Sequence, residues 1–174
     1  MKKILFILLI GLLIGCSVEE NSTSGTKIPN KEQRLENSSL NLIQYEVIRV
    51  IDGDTVELKN GERLRYNDID TPETVHPSKP IECYGPQASS KNKELVEGEI
   101  ILVELGNPTK DRYGRLLGYV YIDDLFVNAE LVRGGYAEVN SYGNPGSELS
   151  NLLEIEKNAK ESMKGLWGAC LNSR

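Results

Sequence analysis

The chain has 174 residues and a formal net charge of −6, with 20 Lys and Arg against 26 Asp and Glu. That acidic balance excludes non-specific wrapping of duplex nucleic acid, which runs on dense phosphate neutralisation by Lys and Arg. The absence of paired C-x-x-C units excludes a structural zinc site of that kind, and the length holds one domain after about forty leading residues are set aside.

Lys2-Lys3 precede an almost wholly apolar run at residues 4–14, shorter than the about 20 residues that span a bilayer. The run ends in Leu13-Ile14-Gly15-Cys16, which resembles the lipobox of bacterial lipoprotein signals. That resemblance implies cleavage before Cys16, lipidation of its sulfur, and an extracytoplasmic, membrane-anchored protein. A plain secretory signal with an incidental cysteine, and hence a secreted protein, is the alternative. Loss of Lys2 and Lys3 takes the net charge from −6 to −8. Residues 17–42 are rich in Ser, Thr, Asn, Glu and Lys without an apolar period, a composition that buries too little to offset ordering entropy. The predicted organisation is a signal at 1–15, Cys16 with a flexible tether at 16–42, and a folded domain at 43–174.

Strand texture begins at residues 45–51, alternating around Val47, Ile48 and Val50. Residues 55–59 follow a tight Asp52-Gly53 turn, and Asn60-Gly61 signals a two-residue hairpin into residues 62–69. A proline-rich loop covers 71–84. Pro86, at a first helical position, opens a helix that runs to about 97 and stops at Gly98. Residues 99–105 form a fourth strand, a loop spans 106–114, and a fifth strand spans 115–122. A short helix at 128–133 ends at Gly134-Gly135. A last helix at 147–164 spaces Leu149, Leu152, Leu153, Ala159 and Met163 helically, with Leu166 just beyond. This predicts an α+β, mainly β fold: the five-stranded Greek-key barrel called the OB-fold, with three helices.

Asp54 and Asp70 stand at the start of the second strand and the end of the third, close together across the hairpin. Two neighbouring carboxylates repel unless a cation lies between them, and a calcium-sized ion with oxygen ligands relieves that repulsion. Asp52 reaches the same place directly or through water. The alternative is that Asp52-Gly53-Asp54 is only a turn. Glu73, after Thr71-Pro72, is positioned to take a proton from a water beside the cation. Arg65 and Arg115 offer planar forks suited to phosphate oxygens. The five-residue step from Arg65 to Asp70, however, puts them on opposite faces of a regular strand. They converge only if the strand bulges or twists near Asn67-Asp68. Among exported proteins an even pair of cysteines favours a disulfide, here Cys83 with Cys170, against two free buried thiols. His76 stands alone without a metal cluster or a nucleophile, and Trp167 reads as a core plug.

Six ordered motifs, from Asp52-Gly53-Asp54-Thr55 through Asp70-Thr71-Pro72-Glu73 to Asp111-Arg112-Tyr113-Gly114-Arg115 and Val127-Asn128, together resemble the thermonuclease (micrococcal nuclease) family over about residues 47–167. The resemblance implies calcium held by Asp54, Asp70 and the Thr71 carbonyl, with Asp52 and Glu73 close by through water. It implies Glu73 as general base and Arg65 and Arg115 as phosphate clamps. The reaction implied is endonucleolytic cleavage of DNA and RNA that leaves 3′-phosphate ends. Carried over, Arg112 and Tyr113 would contact a terminal phosphate, Lys79 would lie on the substrate-side loop, Tyr142 would stack on a base, and the protein would act as a monomer. The alternatives are a catalytically silent OB-fold binding module, or a tethered interaction domain whose acidic turns bind calcium for structure.

Overall fold

The computed structural model describes residues 41–75, 78, 80–142 and 145–171. The described residues all lie in one compact unit. Cys16, His76 and Lys79 fall outside the described residues. No helix among the described residues is long and apolar enough to cross a membrane.

Strand β1 (Leu42–Val50) pairs antiparallel with β2 (Thr55–Leu58), and β2 with β3 (Arg63–Tyr66). Val47 is fully buried and Ile48 exposed, but across the register shift between Val47 and Arg49 the next residue, Arg49, is exposed too, so the predicted alternation breaks there. The Asn60-Gly61 turn forms as a bulged hairpin rather than a two-residue one. Leu58 N–H donates to the Glu62 carbonyl at 2.9 Å, and Gly61 takes φ 85°, the left-handed region open to glycine.

The predicted third strand does not run unbroken to residue 69. It stops at Tyr66, turns through Asn67-Asp68 with Asp68 at φ 57°, and resumes as β4 (Ile69–Asp70). After α1 (Gly85–Val96), β5 (Ile100–Lys110) extends past the predicted end at 105. Its pairing with β6 (Leu116–Ile122) slips between Leu105 and Lys110, so Pro108 sits where no ladder bond is required of it. The intervening loop therefore shrinks to residues 111–115. β3 then pairs parallel with β6, aligning Arg65 with Leu117, and closes β1, β2, β3, β5 and β6 into a barrel.

Beyond the barrel come β7 (Leu125–Phe126), α2 (Val127–Arg133), β8 (Glu138–Val139), α3 (Leu149–Glu161) and α4 (Leu166–Ala169). Four helices thus stand among the described residues where three were predicted. The core joins barrel residues such as Val56, Leu64 and Val120 to Leu131 of α2 and Leu152 of α3, all fully buried. Each such side chain contributes roughly 1.5–3 kcal/mol of transfer free energy. On α3 the apolar face is narrower than the spacing suggests: Leu153, and Met163 just past the helix, are half exposed, while Glu156 is buried. Glu156 is accommodated because its carboxylate accepts the Val139 N–H at 2.9 Å and pairs with Lys160 at 2.7 Å. Trp167, as predicted, plugs a second small core with Ala159, Leu166 and Cys170.

Candidate active site

The Asp52-Gly53-Asp54 turn follows β1. The Asp52 carboxylate accepts the Asp54 N–H at 3.1 Å, so the turn reading holds; the same turn also aims Asp54 inward. Asp54 is 4 % exposed, and one oxygen accepts both the backbone N–H of Thr71 (2.7 Å) and its hydroxyl (2.9 Å). Gly53 permits this approach, since a Cβ there would lie 2.6 Å from Thr71 Oγ1.

Arg65 is 7 % exposed and lies between the acids, with Nε 3.2 Å from Asp54 and Nη2 donating to Asp70 at 2.7 Å. Its Nη1 donates to the carbonyls of Tyr66 (3.0 Å) and Ile69 (2.7 Å), which the Asn67-Asp68 turn folds back over it. The interruption between β3 and β4 thereby removes the face-parity obstacle. Asp68 holds the turn by accepting the Tyr119 hydroxyl and the Gly146 N–H, the latter at 3.0 Å.

Acid crowding sets the electrostatics. Burial, followed by the neighbouring Asp54 charge, pushes the Asp52 carboxyl up to about 7. Burial also raises Asp70, with Asp54 adding to it, while the Tyr142 hydroxyl and Arg65 pull it back. Burial works against the Arg65 charge, but Asp54 and Asp70 outweigh it and hold the guanidinium protonated.

Glu73 is half-buried on the loop after β4, and its Oε1 accepts the N–H groups of Thr74 (2.9 Å) and Val75 (2.8 Å). On the opposite bank Arg115 Nε donates to Asp111 at 2.7 Å; the other Asp111 oxygen accepts the N–H of Tyr113 (2.8 Å) and of Arg115 itself (3.0 Å). The exposed Tyr113 ring has the Arg112 guanidinium at 4.8 Å and that of Arg115 at 5.6 Å from its centroid. Tyr142, also exposed, gives its hydroxyl to Asp70, and its ring centroid stands 5.7 Å from the Arg65 guanidinium.

One open cleft of about 600 Å³ is lined by Asp52, Asp54, Asp70, Thr71 and Glu73 together with Arg65, Arg115, Tyr113 and Tyr142. An adjoining cavity of about 540 Å³ shares Arg65, Arg115, Tyr113 and Tyr142 and continues past Asn107. Two roles escaped the sequence reading: Asp111 as the brace of Arg115, and Tyr142 as a partner of Asp70. The first was within reach, because a carboxylate four residues before an arginine across a glycine turn is a plain pairing signal. The second depends on a contact between residues 72 apart in the chain and had no local signature.

The donor set suits a hard divalent cation: it is all oxygen, with Asp52, Asp54 and Asp70 crowded around one cleft. Among the described residues no three acidic, His or Cys side chains are grouped as a ready ligand cage, and Arg65 pairs with Asp54 and Asp70. The residues that would hold such an ion are Asp54, Asp70 and the Thr71 carbonyl, with Asp52 at the margin.

Thermonuclease from Staphylococcus hyicus is 35% identical over 172 residues, covering 96% of this chain and 99% of that protein. Thermonuclease from Staphylococcus intermedius is 38% identical over 127 residues, 71% of this chain and 75% of its own. Endonuclease YncB from Bacillus subtilis (strain 168) is 35% identical over 159 residues, 87% of this chain and 72% of its own. Residues 63–169 match the family described as Staphylococcal nuclease homologue, a span that takes in Arg65, the Asp70-Glu73 motif and the Asp111-Arg115 loop. The chain therefore belongs to the staphylococcal nuclease homologue family.

Proposed function

We propose that this nuclease-family hydrolase cleaves phosphodiester bonds of DNA and RNA endonucleolytically, depends on calcium, and leaves 3′-phosphate ends. The observation that carries the reading is the cleft that Asp52, Asp54, Asp70, Thr71 and Glu73 line together with Arg65 and Arg115. Bound among Asp54, Asp70 and Thr71, calcium would supply electrostatic stabilisation of the phosphate oxygens. Glu73 takes the proton of the attacking water. Arg65 and Arg115 hold the nonbridging oxygens, and their hydrogen bonds strengthen as charge accumulates in the pentacoordinate transition state. Arg112 and Tyr113 carry the neighbouring phosphate, Lys79 approaches from the loop, and Tyr142 offers its ring to a base. The protein acts as a monomer, exported and anchored through lipidated Cys16.

The silent-module alternative expects the acids and arginines to be lost or scattered, whereas all of them line one cleft. A plasmid-nicking assay on wild type and Glu73→Gln, with calcium or with EDTA, tests the proposal. Calcium-dependent nicking that falls by roughly 10²- to 10⁴-fold in the variant is expected. Nicking that survives Glu73→Gln unchanged overturns Glu73 as the base, and intact plasmid under every condition overturns hydrolysis.

A further inference from the structure

Glu73 lies on a loop whose two ends are joined by a second acidic residue. Glu82 N–H donates to the Glu73 carbonyl at 2.9 Å, and the Glu82 carboxylate accepts the Glu73 N–H at 3.0 Å. The N–H and C=O of Glu73 are thus both held by one residue, the C=O by its backbone N–H and the N–H by its side chain. The following residue, Cys83, is disulfide-bonded to Cys170 across 87 positions. Cys170 is 4 % exposed and packed with Ala159, Leu166, Trp167 and Tyr84, so it is a fixed point. Two residues beyond Cys83, Gly85 opens α1 directly against the same loop, where a Cβ would lie 3.0 Å from the Glu73 carbonyl oxygen and 2.8 Å from Thr74 Cγ2.

From this arrangement we infer that Glu82 is a positioning residue for Glu73, and that the Cys83–Cys170 bond keeps Glu82 in place. The inference rests on Glu73 being the base. Glu82 and Cys83 are exposed, and a solvent-facing hydrogen bond between two mobile segments is nearly isoenergetic with its hydration. Such a bond orders a loop only when its partners are already held close. The disulfide supplies that proximity by fixing the residue next to Glu82 to the packed C-terminal cluster, leaving little further entropy to lose when the clasp closes. The pair therefore sets where the Glu73 carboxylate meets the attacking water, and small displacements there are costly to rate. Glu82 touches neither substrate nor reacting atoms and is not a catalytic residue.

The test uses the purified full chain as wild type, Glu82→Ala, Glu82→Gln, the Cys83→Ser/Cys170→Ser pair, that pair with Glu82→Ala, Glu73→Gln and Glu73→Gln with Glu82→Ala. Measured are kcat and KM on single-stranded DNA, calcium affinity by calorimetry with calcium chloride alone, and thermal midpoint. Glu82→Ala should lower kcat roughly five- to tenfold while KM and calcium affinity stay within about twofold. Glu82→Gln should recover kcat to within about twofold of wild type, because an amide oxygen still accepts the Glu73 N–H. Removing the disulfide, assayed well below its melting range, should reproduce the kcat loss, and adding Glu82→Ala to it should cost less than Glu82→Ala alone. Adding Glu82→Ala to Glu73→Gln should cost nothing more. A silent Glu82→Ala beside an inactive Glu73→Gln overturns the positioning role alone, as does a Glu82→Gln that is as slow as Glu82→Ala. Full activity in Glu73→Gln instead sinks the base assignment on which the inference stands.

Discussion

Asp111→Asn isolates the brace behind one phosphate clamp. The substitution keeps the oxygen that accepts the Tyr113 and Arg115 N–H groups, so the 111–115 loop retains its turn. It replaces the oxygen 2.7 Å from Arg115 Nε with an amide that presents a donor to a donor. A charge-assisted bond of this kind contributes about 1.5–3 kcal/mol when buried. Arg115 is 30 % exposed in its side chain, so water recovers part of that and about 1–2 kcal/mol is the working figure. If the freed side chain must be reordered in the transition state, about 1.4 kcal/mol of that cost corresponds to a tenfold fall in kcat, with KM little changed. Steady-state kinetics on single-stranded DNA beside Arg115→Ala, which should lose roughly 10²- to 10³-fold, provide the scale. Asp111→Asn within twofold of wild type, with Arg115→Ala crippled, would refute the reasoning, because Arg115 would then be held by something else.

The same pair carries a pH signature. Burial disfavours the ionised Asp111, but the Arg115 side chain and the backbone N–H groups outweigh it and hold its carboxyl below the ordinary 3.8. A depressed carboxyl stabilises the fold fully above its unfolded value and loses that contribution as pH falls through the folded one. Thermal midpoints of wild type and Asp111→Asn should therefore differ steadily above about pH 5 and converge below 3.8. Gly53→Ala puts a Cβ 2.6 Å from Thr71 Oγ1 and should push Thr71 off Asp54. Calorimetry and urea unfolding should show calcium affinity down roughly tenfold and stability down about 1–3 kcal/mol; values matching wild type would show that Thr71 can yield without cost. Tyr142→Phe keeps the ring over Arg65 but removes the hydroxyl on Asp70, whereas Tyr142→Ala removes both. If the ring is a stacking platform, the alanine variant loses roughly tenfold in kcat/KM on single-stranded DNA and the phenylalanine variant stays within about threefold. Equal losses would assign the effect to the hydroxyl.

Local chemistry accounts for most of what was legible beforehand. Pro86 and Gly98 bracket α1, Asn60-Gly61 makes a turn, and Asp52-Gly53 reverses the chain, because each of these acts through its own backbone freedom or lack of it. The expected extents failed where neighbours override propensity. β5 runs on through Gly106 and Pro108 because a slipped register asks no ladder bond of the proline, and Glu156 goes inside where Leu153 was expected.

By itself the sequence determined the inventory: which carboxylates and guanidiniums exist, in what order, on which hairpin, and the cysteine pair that the structure joins. Only the tertiary structure decided that Arg65 and Asp70 meet. Side-chain parity along a strand forbids it, and one residue in left-handed backbone, Asp68, held from outside by Tyr119 and Gly146, removes the parity rule at that point. The clasp of Glu82 on Glu73 and the brace of Arg115 by Asp111 are likewise closed in space. Hydrogen bonds a few ångströms long are set by how segments pack, and that packing depends on the whole barrel rather than on any window of the chain.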